Sequence, residues 1–352
     1  MQQIIYEYLK SFCIKGFLAV MAVLVITSMY PVSGWTREIS YDYNHGLGKI
    51  NIRSQSPAQS LRLTLPMMIP GDIKSGWGSQ INLTWSNVWA SGPAYLLDYE
   101  MLDTITGISY GFNRKLGIIL QFENRSYFGG AMDTVIQHFH SLFGIDQNGR
   151  DKVPENREVI QRFNPQTGKM LSTNSASGLD NDGIGLIVNY NLTPGSKFRP
   201  SVNIYGTVRY GLTCPFICEA NHPVDFGFGF GFAKRWSEKW YTYMSMGYTM
   251  YQPRTTTAAP GVIPIELNDK AFNGLFAIAW NYTPTFAIVV QYLYSGSDIK
   301  NLQGVDKPSH EIHMGFKWKT DYGMVEFAFT ENIITMNNSP DFGVHTAWDY
   351  LF

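Results

Sequence analysis

Nucleophile, base and metal-ligand types are sparse in this chain, and their spacing sets the first limits on its chemistry. A hydrolytic centre acting on lipid needs a Ser or Asp nucleophile, a His base and a third group to orient the base. Ser141 or Ser309 with His310, His313 or His345 supplies the types, but none stands in a recognisable motif, and 7 His among 352 residues produce such coincidences. His138 and His140, two residues apart, point to different faces of a helix with no Glu between them, which argues against zinc. Asp180-Asn181-Asp182-Gly183 has the oxygens of a calcium loop without its length or closing Glu, and reads as a tight turn entering a strand. No catalytic residue, metal site or cofactor is assigned.

Lys10 and Lys15 precede an apolar stretch from Phe17 to Ile26, and Val32-Ser33-Gly34 offers small residues for a cut. Residues 1–34 therefore read as a signal peptide, with Trp35 opening the mature chain. Cys13 is lost with it, which leaves Cys214 and Cys218, a pair that an oxidising compartment favours as a disulfide. The 27 basic and 28 acidic residues give a net charge of −1, too balanced for a nucleic-acid partner. A chain that is 45% hydrophobic and 15% aromatic is not disordered. Past the N-terminus no apolar run reaches the roughly 18 residues of a membrane-spanning helix.

The elements that must position any site are strands. From Ser79 onward, runs of apolar residues alternate with polar or small ones. In the clearest, Phe226, Phe228, Phe230 and Phe232 share one face while Asp225, Gly227, Gly229 and Gly231 share the other, a separation no helix achieves. Ile312, Met314, Phe316 and Trp318 alternate in the same way with Glu311, His313, Gly315 and Lys317. Apolar faces turned to lipid and polar faces turned to a lumen account for these patterns. Short joints at Asn113-Arg114, Thr193 to Lys197, Ser237-Glu238, Thr283-Pro284 and Thr320 to Tyr322 separate longer connections. They predict an all-β fold, a transmembrane antiparallel β-barrel of about 12 strands in residues 79–352. Residues 35–78 are expected as a periplasmic segment leading into it. Trp348, Tyr350 and the terminal Phe352 share one face and resemble the C-terminal signal read by the barrel-assembly machinery.

Ile52-Arg53-Ser54-Gln55-Ser56-Pro57 with Leu65-Pro66, and a run from Gly129-Gly130 through Asp133, Phe139-His140, Phe143-Gly144 and Asn148-Gly149-Arg150 to Pro154-Glu155-Asn156-Arg157, resemble the two signatures of a bacterial outer-membrane family, domain of unknown function 3187. The resemblance spans essentially the whole mature chain and implies an outer-membrane barrel without naming an activity. The sequence departs from the pattern at Ser54 and Ser56, where Asn is expected.

Met132, Val135, Ile136, Phe139, Leu142 and Phe143 recur at helical spacing within the long connection between Phe128 and Asn181. This amphipathic helix in an outer loop is expected to constrict the lumen or cap its mouth. Its other destinations are the outer lipid interface and the rim. Glu123, Arg125, Arg209, Asp225, Glu311, His313, Lys317, Glu326 and Asp349 are expected to face inward, paired across the lumen, with a mixture of signs that argues against a dedicated anion or cation pore. The reading favoured is a monomeric, porin-like barrel in the outer membrane of a Gram-negative bacterium, surrounded by outer-membrane lipids and passing a small solute through a narrow channel constricted by the 128–181 loop. A lipid-modifying enzyme and a structural or adhesive barrel are the alternatives.

Overall fold

A computed structural model describes residues 44–62, 64–130, 132–144, 153–155, 157–172, 180–213, 222–252, 265–334 and 336–351. The expected signal peptide, Cys214, Cys218 and Phe352 lie outside the described residues. In chain order the elements are α1 (Pro57–Leu61), β1 (Gly76–Gly92), β2 (Tyr95–Gly111), β3 (Leu116–Phe128), α2 (Asp133–Phe143), β4 (Val159–Asn164), β5 (Lys169–Ser172), β6 (Asp180–Thr193) and β7 (Ser201–Gly211). After them come β8 (Val224–Arg235), β9 (Trp240–Met250), β10 (Lys270–Thr283), β11 (Phe286–Ser295), β12 (Ser309–Thr320), β13 (Gly323–Asn332) and β14 (Phe342–Leu351).

Twelve strands, β1 to β3 and β6 to β14, pair antiparallel with their neighbours, and β1 pairs with β14 from Gly78↔Leu351 to Asn87↔Phe342, so the ring has no open edge. Closure matters because an unpaired edge in hydrocarbon costs several kcal/mol per orphaned backbone group, on the order of the penalty for any unsatisfied buried amide. The remaining two, β4 and β5, form a hairpin that hangs from the upper part of β2 through Leu97↔Ile160 and its neighbours. Five short connections, 112–115, 194–200, 236–239, 284–285 and 321–322, gather at one end. The longer ones lie at the other, where the β1–β2 hairpin also turns, its pairing continuing to Gly92↔Tyr95 beyond the last residues matched by β14 and β3.

The alternation read from the sequence resolves into outside and inside. Phe226, Phe228 and Phe230 are 49%, 56% and 40% exposed on the outer surface. Their neighbours Asp225, Gly227, Gly229 and Gly231 face the interior. Rings crowd the outer wall at the short-turn end: Trp77 lies 4.7 Å from Tyr110, Trp280 5.6 Å from Tyr282 and Trp348 5.7 Å from Tyr350. An aromatic girdle at a membrane interface has this composition. Two expectations need correction. Asp180-Asn181-Asp182-Gly183 is already strand, because its polar groups find partners across the chain rather than on their own backbone: the Asn124 amide donates to Asp182 at 2.6 Å, and the Asn181 amide donates to the Ser60 carbonyl at 3.3 Å.

The second correction concerns residues 35–78. Their described part is not a periplasmic lead-in but runs inside the barrel. Asn44 is fixed at the short-turn end, donating to the Ser196 and Arg199 carbonyls at 3.2 and 3.0 Å and accepting from Arg235 N at 3.1 Å. The chain rises to α1, where Ser56 caps the helix by accepting from Gln59 N at 3.1 Å and Pro57 fills a position that needs no N–H. Near the long-loop end, Ala58 N donates to Asn338 Oδ1 at 3.1 Å and the Gln59 amide to the Gly296 carbonyl at 2.6 Å. It then descends past Met68, whose carbonyl accepts from Ser245 Oγ at 2.8 Å, to Ile73 beside Ile119, and enters β1 back at the short-turn end. The segment is a hairpin with both feet at one rim.

Candidate functional site, a lumen occupied by the chain itself

The interior wall is made of every second residue of twelve strands, and the segment 44–75 meets it through two kinds of contact. The first is apolar. Ile50, Ile52 and Ile69 pack with Tyr241, Tyr243, Leu275, Val289 and Leu293 of β9 to β11. The inward glycines of β8 let the descending limb lie against bare backbone, since a Cβ on Gly231 would stand 2.3 Å from the Met68 carbonyl oxygen and one on Gly227 2.3 Å from Leu65. The Phe/Gly alternation thus serves lipid on one side and the inner segment on the other.

The second kind is charged. Arg53 grips Asp103 with two nitrogens, Nε at 2.7 Å, and reaches Glu123 with Nη1 at 3.0 Å. Arg125 Nη2 meets Asp103 Oδ2, the oxygen that also accepts from Arg53 Nε, at 3.0 Å. Arg209 bonds Glu123 at 2.8 Å and stands 3.5 Å from Asp225. The result is an alternating ladder, Arg125–Asp103–Arg53–Glu123–Arg209–Asp225, from β2 to β8. Arg53 is its one rung supplied by the inner segment. Fork geometry makes Arg suited to bridging two carboxylates.

Two further clusters tie the same limb to the opposite strands. Glu326 pairs with Lys317 and accepts from Asn51 N and Asn51 Nδ2, both at 2.8 Å, while Asn51 Nδ2 also reaches Asp349 at 3.2 Å. Glu311 accepts from Ser54 Oγ and from Gln55 N at 3.1 Å. Ser54, standing where Asn is expected, therefore still delivers a donor to the wall. At the top of the segment Arg62 lies 4.7 Å over the Tyr251 ring. The Tyr251 phenol is pushed well up from its ordinary value by burial, then by Asp298 and Asp225, with Arg62 opposing.

All nine residues expected to face inward sit on inward strand positions, with Glu123, Arg125, Asp225, Glu311, His313 and Glu326 fully buried. The expectation omitted Asp103 and His345, both buried on the same face, and the residues Asn51, Arg53, Ser54 and Gln55 that engage the inward carboxylates from within. Inward polar atoms exceed what the inner segment can serve: Asn82 Oδ1, Thr207 Oγ1, Asn273 Oδ1 and Thr330 Oγ1 are buried with no hydrogen-bond partner among the described residues.

The hydrolytic candidates do not meet. Ser309 Oγ donates to Glu311 at 2.8 Å, the His310 ring contacts the Tyr292 hydroxyl at 2.7 Å, His313 contacts Gln291 at 3.0 Å and His345 contacts Thr84 at 2.8 Å. None of these rings bonds a Ser hydroxyl among the described residues.

The loop helix α2 is anchored on the outside of the wall. Glu100 points outward from β2, fully buried, and accepts from Met132 N and from Trp85 Nε1, both at 2.6 Å. Asn87, outward on β1, donates to Asp133 at 3.3 Å. Of the apolar stripe, Met132 and Ile136 are the side chains described, and both are buried. The described part of the 128–181 loop therefore does not form the expected constriction; residues 44–75 fill the lumen instead. The reason is local: the carboxylate that satisfies the loop's backbone projects away from the lumen, and Gly130 is required there because a Cβ would collide with it.

Fold and interior together define a transmembrane β-barrel of outer-membrane type whose lumen holds its own N-terminal segment. The chain belongs to the family described as protein of unknown function (DUF3187), whose model matches residues 25–352. No curated protein matches it. Among solved structures, an outer membrane channel from Pseudomonas putida F1 is 11% identical, covers 81% of this chain and 100% of its own, and gives a TM-score of 0.49. The CymD monoaromatic hydrocarbon channel is 12% identical, covers 86% and 94%, and scores 0.42. The NanC porin is 7% identical, covers 79% and 100%, and scores 0.42. Likenesses at this level bear on neither substrate nor mechanism.

Proposed function

We propose that the protein is an outer-membrane channel for a small solute, shut in this conformation by residues 44–74. The observation that carries this reading is the occupant itself: one continuous stretch of chain, entering and leaving at the same rim, attached by side-chain contacts to a wall rich in polar groups. A wall meant to stay dry would not hold polar oxygens that find no partner among the described residues, each of which costs about 1–3 kcal/mol when buried and unsatisfied. In this reading residues 1–34 direct export and Cys214–Cys218 is closed as a disulfide. Trp348, Tyr350 and Phe352 engage the barrel-assembly machinery, and the barrel works as a monomer among outer-membrane lipids.

Planar-bilayer recording tests the reading. The intact chain is expected to conduct rarely, and the barrel lacking residues 44–74 to give steady unitary steps. Silence from a shortened barrel that is demonstrably folded ends the proposal. Removing Met132–Phe143 is expected to leave both behaviours unchanged.

A further inference from the structure

The charges of the wall and of its occupant are unequal and opposite. Between the rims the inward positions carry the carboxylates Asp103, Glu123, Asp225, Glu311, Glu326 and Asp349 against the cations Arg125, Arg209 and Lys317, a formal excess of three negative charges. Arg235 and Lys319, also on inward positions, stand at the short-turn rim and are partly exposed. Residues 44–74 carry Lys49, Arg53, Arg62 and Lys74 against Asp72, a formal excess of three positive charges.

At the wall's carboxylates the occupant presents donors, while its Ser54, Gln59 and Lys49 carbonyls accept from Arg125 and Lys317. Arg53 serves Asp103 and Glu123, Gln55 serves Asp103 at 3.1 Å as well as Glu311, Ser54 serves Glu311, and Asn51 serves Glu326 and Asp349. Once the occupant leaves, each of these carboxylates loses a donor; Arg125 and Lys317 lose only neutral carbonyl partners and, like Arg209, keep their wall carboxylates. The mixture of signs that argued against ion selectivity in the sequence is therefore balanced only while the lumen is filled.

Resting on the channel reading above, we infer that the open lumen selects cationic solutes rich in N–H donors, of the ammonium or guanidinium class, and that the Asn51–Gln55 stretch occupies their binding track in the closed state. A narrow pore lined by carboxylates concentrates cations and excludes anions, and solutes that replace several N–H donors at once regain the lost hydrogen bonds.

The test is a reversal-potential measurement on the barrel lacking residues 44–74 under a tenfold KCl gradient, followed by addition of guanidinium chloride at millimolar concentration. Potassium is expected to pass several-fold more readily than chloride, guanidinium to reduce the potassium current, and the double variant Glu123→Gln, Glu326→Gln to bring the potassium preference down. A chloride-favouring or unselective current overturns the inference and leaves the channel reading standing; no current from a folded barrel ends both. If the shortened chain does not fold, full-length Arg53→Gln, which keeps the rest of the occupant but loses the central rung, goes through the same gradient. Cation-favouring openings support the inference, and chloride-favouring, unselective or absent openings overturn it.

Discussion

Arg53 holds Asp103 through two guanidinium nitrogens while its third reaches Glu123, so one residue of the inner segment closes a gap between two strands of the wall. The ladder on either side of it is complete without rearrangement. Its two ends, Arg125 and Asp225, belong to β3 and β8, and only the middle comes from elsewhere in the chain.

Asp103→Asn leaves Arg53 and Arg125 facing each other with no full negative charge between them. Loss of one partner from a buried ion cluster costs about 3–5 kcal/mol, and a denaturant titration in detergent is expected to show a loss of that order. Arg53→Gln combined with Asp103→Asn should recover part of it, with a coupling of about 0.5–3 kcal/mol. Strict additivity of the two changes would show that the pair does not interact.

Gly231→Val places a branched side chain where the Met68 carbonyl lies. Because the obstacle is backbone, the descending limb must move, at about 1–3 kcal/mol for overpacking of this kind. Limited proteolysis should cut within 64–74 faster than in the parent chain while the barrel keeps its heat-modifiable migration on a gel. Equal cutting rates would refute close seating of the limb on β8.

Phe228→Arg puts a charge on the outer surface, where Phe228 is 56% exposed. Folding into lipid vesicles is expected to weaken by about 2–4 kcal/mol if the position lies near the bilayer midplane. Phe228→Leu should change little. An Arg variant as stable as the parent in lipid would deny that this face meets acyl chains.

Glu100→Ala removes the acceptor shared by Met132 N and Trp85 Nε1. Each bond to a charged acceptor is worth about 1.5–3 kcal/mol, so α2 should detach from the wall. Hydrogen exchange across 132–144 is expected to quicken by at least tenfold with the strands still protected, whereas unchanged exchange would place the anchor elsewhere.

How far the sequence discloses this arrangement depends on how regular each stretch is. Along β8, where Phe meets lipid and Gly meets the inner segment at every step, the period of two is unbroken and the strand can be read directly. Along β2 it fails, because Asp98 and Glu100 point outward yet are buried, Glu100 beneath the start of the 128–181 loop. Polar residues then fall on both faces, and Asp103 is hidden among them. His345 escapes for a different reason, since its partners Thr84 and Glu326 lie on other strands and nothing nearby marks it. The segment 44–75 has no period at all. Gly46, Gly48, Gly71, Pro57, Pro66 and Pro70 break any run, so it reads as a linker, and its place in the lumen follows from partners that are between 31 and 298 residues away in the chain.

Because Asn44 and Ser75 stand at the same rim, the stretch between them is topologically unlinked from the ring. It resembles a finger pushed into a glove and not a thread drawn through a bead. No inter-strand bond has to break for it to slide back, and none had to wait for it to arrive. Assembly and unblocking are thereby uncoupled: the cylinder can be completed first and corked afterwards, and each opening can be undone by the same route from the same side.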